Sequence, residues 1–323
     1  MASSGDWRIP AAVQPRPADY VYDLDRALSA VVSLSSRVPE RAFTAEALGT
    51  ERAGNGVLID DDGLVLTIGY LITEAETVWL TTQEGRSVQG HVVGFDAATG
   101  FGLVQALGRL DLPALRLGRS GDVAVGDSVV VAGAGGRSHS VAARIVARQE
   151  FAGYWEYVLD DAIFTAPPHP HWGGAGLIGP AGDLLGIGSL QLQQGSGEAR
   201  AINMMVPIDL LKPILADLTT QGRVARPARP WLGLYATEID GSVVVMGLAS
   251  RGPAAAADLR AGDTVLEVAD AAVTDLASFF RRVWSLGEAG VAVPLTILRD
   301  GRTISVTVHS ADRERFLVTP RLH

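Results

Sequence analysis

Gly54-Asn55-Gly56-Val57-Leu58-Ile59-Asp60-Asp61-Asp62-Gly63-Leu64-Val65-Leu66-Thr67 decides the fold class. Two short apolar runs, 57–59 and 64–66, flank an Asp-Asp-Asp-Gly turn, which is a β-hairpin signal. The same pattern repeats downstream at 78–81, 91–93, 103–104, 129–131, 141–146 and 157–159. Short apolar runs at close spacing, punctuated by glycine-rich turns, predict an all-β barrel or sandwich over 54–190. Upstream, Leu24, Ala27, Leu28 and Val31 have helical spacing and predict a helix over 24–34. The polar stretch 35–52 reads as a loop. Downstream, Ile208, Leu211, Ile214, Leu215 and Leu218 predict a helix over 207–218.

Residues 222–230 read as a linker, with Gly222, Pro227 and Pro230 among arginines. A second unit follows over 231–308, with strands at 242–246, 264–268, 293–298 and 303–308. Asp275 is the expected N-cap of a helix carrying Leu276, Phe279, Phe280, Val283 and Trp284. Arg299-Asp300-Gly301-Arg302 is the turn of a terminal hairpin.

The chain of 323 residues is long enough for two or three domains. Its net charge of -9 argues against a nucleic-acid partner, because phosphate binding needs clustered Lys and Arg. Without cysteine, disulfide and thiolate chemistry are excluded. The first 17 residues are polar and Pro-rich with no apolar h-region. No stretch reaches the roughly 18 apolar residues of a membrane span. A cytoplasmic location is therefore expected, or a periplasmic one for a chain trimmed of its signal.

In order and spacing, several segments resemble the HtrA/Deg proteases. They are the opening hairpin, Glu84-Gly85-Arg86, Val92-Val93-Gly94-Phe95-Asp96, 112–118 (Leu-Pro-Ala-Leu-Arg-Leu-Gly), Val125-Gly126-Asp127-Ser128-Val129, 182–187 (Gly-Asp-Leu-Leu-Gly-Ile) and Val206-Pro207. The resemblance covers 20–308. It implies a mostly β chain, a trypsin-like double β-barrel followed by a PDZ domain. The implied division is an N-terminal tail (1–19), a protease-fold domain (20–221), a linker (222–230), a PDZ domain (231–312) and a C-terminal tail (313–323). It also implies a homo-oligomer, a trimer joined through aromatic residues such as Tyr20 and Tyr22.

In that family a Ser attacks the scissile carbonyl, a His takes its proton and an Asp orients the His. The matching positions here hold Tyr70, Gly100 and, depending on the anchor, Trp172 or Gly173. A phenol with a pKa of about 10 is a poor base near neutrality. Glycine cannot orient an imidazole. No serine lies between Ser140 and Ser189. Pro167, Pro168 and Pro170 lack the N–H a family-like oxyanion loop would use. The resemblance thus carries the expectation of a catalytically inactive homologue, a pseudoprotease and not an enzyme.

Two sharper readings compete with this one. Thr165 and His169 form the only local hydroxyl–imidazole pair and could constitute a relocated catalytic group. His169 and His171 could chelate a metal with Asp160 or Asp161, but Asp161 matches a structural Asp of the family and a site needs about three ligands. A polar surface loop is the simpler reading of both, so no metal and no cofactor are expected. The PDZ-like half keeps its working parts. Trp231, Leu232, Gly233 and Leu234 match the family's carboxylate-binding loop. Leu276, Phe279, Phe280 and Val283 belong to the helix on the groove's other side, part of that stripe facing the core. C-terminal peptides or unfolded segments are the implied partners, for a chaperone, an adaptor, a regulator of an active relative or a structural subunit of a mixed assembly.

Overall fold

The computed structural model describes residues 7–194 and 200–318. Among them the chain divides into two compact units. The first comprises residues up to 149, 161–224 and the C-terminal end from 318. The second comprises 150–160 and 225–317. Residues 1–6 and 319–323 of the expected tails lie outside the described residues.

The first unit holds two closed six-stranded barrels among the described residues. One is built from β1 (Val31–Arg37), β2 (Glu51–Leu58), β3 (Leu64–Ile68), β4 (Thr77–Thr81), β5 (Ser87–Phe95) and β6 (Phe101–Ala106). Its strands run in the order β1-β2-β3-β6-β5-β4. The 54–67 segment forms the β2–β3 hairpin, with Val57 opposite Leu66. Alternation along the strands sends Leu34, Leu66, Leu80 and Leu103 into the barrel, where all four are fully buried. Truncating one such leucine to alanine costs about 2–5 kcal/mol.

The other barrel contains β7 (Ser128–Ala132), β8 (Ser140–Gly153), β9 (Tyr157–Ala166), β10 (Gly176–Ile178), β11 (Leu184–Gln194) and β12 (Arg200–Pro207). The order is β10-β11-β12-β9-β8-β7. Val129, Val131, Ile163, Leu177 and Met205 fill its core.

Two expectations are corrected here. The helix over 24–34 is only Leu24–Ser29, capped by the Asp23 side chain, and Val31 begins β1. The apolar run 31–34 fits a buried strand as well as a helix, and periodicity cannot separate the two. The helix over 207–218 is a short turn, Ile208–Leu210, and a later helix, Leu215–Gln221. Pro213 between them lacks the N–H a continuous helix would need.

The second unit is a sheet in the order β13-β14-β15-β17-β18, with β16 on β15. Its strands are β13 (Leu234–Ile239), β14 (Ser242–Leu248), β15 (Thr264–Val268), β16 (Ala271–Ala272), β17 (Ala292–Arg299) and β18 (Arg302–His309). The helix Leu276–Ser285 packs on it. Asp275 caps this helix as expected, with a reciprocal capping box to Ser278. Buried Asp263 accepts from Arg299 Nε at 2.6 Å and from the Arg260 N–H at 2.8 Å, tying the 260–263 turn to β17.

Candidate functional sites

Within the first unit the residues at the three family positions converge. Tyr70 sits in the turn Gly69–Leu71 that follows β3. Arg52 on β2 fixes that turn by donating to the carbonyls of Tyr70 (2.7 Å) and Thr73 (3.0 Å). Gly100 adopts φ +86° in the β5–β6 turn, and its carbonyl accepts from the Gly69 N–H at 2.6 Å. The loop bearing Trp172 and Gly173 lies against both Tyr70 and β2. A Cβ placed on Gly173 would stand 2.7 Å from the Tyr70 hydroxyl.

The Tyr70 hydroxyl donates to the Ser189 carbonyl at 3.1 Å. Its oxygen also meets the Trp172 side chain, whose indole can only donate. Burial raises the phenol's pKa above its ordinary value, partly offset by the Trp172 hydrogen bond, so Tyr70 stays protonated.

The 172–174 loop is held by backbone bonds and by the Asn55 side chain. Asn55 N–H donates to the Gly173 carbonyl at 2.8 Å, and the Asn55 amide donates to the His171 carbonyl at 2.9 Å. Gly174 N–H donates to Gly188 and Ala175 N–H to Trp172. Gly174 requires glycine, with φ +74° and room of only 1.9 Å between a would-be Cβ and the Asn55 carbonyl.

The relocated catalytic pair is not assembled. Thr165 is buried, and its hydroxyl makes no hydrogen bond among the described residues. His169 is fully buried, contrary to the surface loop expected for it. Its Nε2 faces the His139 carbonyl at 2.8 Å and its Nδ1 accepts from the His171 N–H at 3.0 Å. Both ring nitrogens are thereby committed, leaving neither for a metal or for a proton from Thr165. Burial lowers the His169 pKa to about 4, helped by the nearby His171 and His139. Trp7 packs edge-on against His139 at 4.6 Å.

In the second unit the expected carboxylate loop has its donors aligned. The N–H groups of Leu232, Gly233 and Leu234 all point at one carboxylate, the side chain of Glu156. Their distances are 3.0, 2.8 and 3.3 Å. Gly233 has φ +72°, which turns its amide into line with its neighbours. Burial pushes the Glu156 carboxyl up to about 7, against the pull of the three N–H groups and Arg313. Trp231 is buried beside Phe316. Leu276, Phe279, Phe280 and Val283 are all buried in one cluster with Leu232 and Leu234.

Glu156 was missed by sequence reasoning. Its only local signal is its place in the aromatic run Phe151-Ala152-Gly153-Tyr154-Trp155-Glu156-Tyr157.

Comparison with known proteins bears on both units. Residues 54–187 match the trypsin-like peptidase domain family, and residues 230–309 the PDZ domain family. The chain is HtrA-like. It is 28% identical over 276 residues to a probable periplasmic serine endoprotease DegP-like of Pseudomonas fluorescens, covering 81% of this chain and 57% of that protein. It is 27% identical over 282 residues to the putative serine protease HhoA of Synechocystis, covering 80% and 70%. Two solved structures share the fold. One is the HtrA-type protease AlgW with decapeptide, with a TM-score of 0.53 and 22% identity over 92% of this chain and 98% of that one. The other is a serine endoprotease from Yersinia pestis, with a TM-score of 0.51 and 24% identity over 89% and 95%. The HtrA-like chain spans little more than half the length of the first relative.

The expectation that this HtrA-like chain is not an enzyme is overturned by these findings. Its relatives are named serine endoproteases or putative serine proteases, not inactive homologues. The cytoplasmic expectation is also unsupported, because relatives are named periplasmic. Among the described residues no helix is long and apolar enough to cross a membrane.

Proposed function

We propose that this HtrA-like chain engages polypeptides by their C-termini through the loop Trp231 to Leu234. The observation that carries the reading is the convergence of the Leu232, Gly233 and Leu234 N–H groups on a single carboxylate. Three aligned donors make a site for an anionic chain end, and a peptide would add as a strand along β13. Leu276, Phe279, Phe280 and Val283 back that groove from the helix side. The AlgW structure with a decapeptide supports peptide binding by a neighbour of the same fold. The test is fluorescence anisotropy on the full chain, with peptides ending in Val, Leu or Phe as free acids and as amides. Binding confined to the free acids is expected. Equal binding of the amides would remove the reading.

A second reading is that captured polypeptides are hydrolysed, as the names of the relatives state of those proteins. Turnover of fluorescent casein by the full chain is its expected outcome, and no turnover at neutral pH would sink it. Assembly as a homo-oligomer through Tyr20 and Tyr22 is part of the proposal. Their rings pair at 5.4 Å, and Tyr22 also packs on Gly182 of its own chain. A monomer in sedimentation velocity would remove this part.

A further inference from the structure

The binding loop of the second unit already holds a ligand from its own chain. Residues 154–156 form the tip of the β8–β9 hairpin, and the tip belongs to this unit. We propose that this tip is an internal ligand of the PDZ groove, with the Glu156 carboxylate in the place of a bound peptide's terminal carboxylate, so that a peptide C-terminus enters only by displacing it. This rests on the peptide-binding reading above and adds its regulation.

Four observations carry it. The first is the set of three loop N–H groups spent on Glu156. The second is strand addition. β13 is the edge strand of its sheet, with β14 on its inner side, and the Ala236 N–H donates to the Tyr154 carbonyl at 3.0 Å. Edge pairing next to a captured carboxylate is how an added peptide would lie. The Tyr154 ring meets Tyr235 of the same strand at 6.0 Å.

The third observation is the grip from the opposite wall. Arg281 on the helix Leu276–Ser285 pairs with Glu150 at 2.5 Å and also with Asp160, so it holds both ends of the inserted segment. Ala152 and Val158 pack on the cluster containing Phe279 and Phe280. The fourth is backbone conformation. Glu156 has φ +63°, a left-handed geometry that L residues other than Asn and Asp seldom adopt. A glycine would relieve that geometry but would leave the three N–H groups without an acceptor.

A tethered ligand competes at an effective concentration of about millimolar or more. Removing its carboxylate should therefore raise the apparent affinity for free peptides. The experiment uses the full chain as wild type, Glu156→Ala and Glu156→Gln, the last keeping an acceptor oxygen without the charge. Amide hydrogen exchange is measured over 232–236, and anisotropy is measured with the free-acid and amidated peptides. Exchange at these amides should be about tenfold or more faster in Glu156→Ala, with Glu156→Gln intermediate. Free-acid peptides should bind Glu156→Ala about tenfold or more tighter than wild type. Unchanged exchange, or measurable but equal peptide affinity in wild type and both variants, would overturn the proposal. Faster exchange with no peptide bound by any variant would uphold the internal ligand and remove the peptide-binding reading instead.

Discussion

The cleft of the first unit and the binding loop of the second use glycine and backbone amides in opposite ways. In the cleft, Gly173 and Gly174 bring the loop into contact with Tyr70 and Asn55, and the amides of Gly174 and Ala175 are consumed inside the barrel. In the binding loop, Gly233 turns three consecutive amides outward onto one carboxylate. The same residue type closes one site by allowing backbones to touch and opens the other by aligning donors. Glycine in a family motif therefore identifies a position but not its use. The use is fixed by what stands opposite, a carbonyl and a phenol in one case and a carboxylate in the other.

The contrast can be broken most severely at Gly174. Gly174→Ala combines a left-handed backbone with a carbonyl 1.9 Å from the new Cβ. A loss of more than about 3 kcal/mol in chemical denaturation is expected. A loss below about 1 kcal/mol would show that the loop is not pressed on Asn55 as described.

The buried imidazole beside that loop gives the next effect. His169 has its pKa lowered to about 4 in the folded chain, below its ordinary 6.5. Its neutral form is the one that folds, so its contribution is present above the ordinary value and is lost as pH falls from there through about 4. The shift corresponds to about 3 kcal/mol. Urea midpoints of the full chain should fall over that window, and His169→Gln should flatten the fall. An unchanged slope in the variant would remove His169 as the cause.

A double-mutant cycle sharpens the comparison. Gly173→Ser places a Cβ 2.7 Å from the Tyr70 hydroxyl and is expected to cost about 2 kcal/mol. The cost should drop by about 1 kcal/mol or more in a Tyr70→Ala background, because the two groups share one space. Additive costs would mean that they do not. The smallest effect belongs to the second unit, where Asp275→Ala removes the capping box of the helix. About 1 kcal/mol of stability should be lost, read as a lower thermal midpoint.

Much of this was legible in sequence order. The hairpin at 54–67 announced the first barrel because two apolar runs enclosed an Asp-Gly turn. Asp275 announced its helix by its capping chemistry. Tyr70, Gly100 and the 172–173 pair were placed in one cleft by resemblance, and the structure brings them together. The fate of His169 was not legible, because its burial depends on Asn203 and on the His139 carbonyl, both about thirty residues or more away. Trp172 and Gly173 could not be ranked in sequence because two anchors align the segment one residue apart, and in the structure both border Tyr70, one by hydrogen bond and one by contact. Beyond its place in an aromatic run, Glu156 left no local trace, since its partners lie 76 to 78 residues further along the chain. The expectation of no activity rested on residue identity at three positions, and the names of the relatives run against it.

The separation of Glu156 from its amides also has a meaning during synthesis. Glu156 leaves the ribosome 77 residues ahead of Gly233. At about 5–20 residues per second that interval is roughly 4–15 seconds. During it the nascent tip presents Tyr154 and Trp155 with no groove to receive them. The strands on either side, β8 and β9, are complete in that time, while the carboxylate still lacks its three N–H partners.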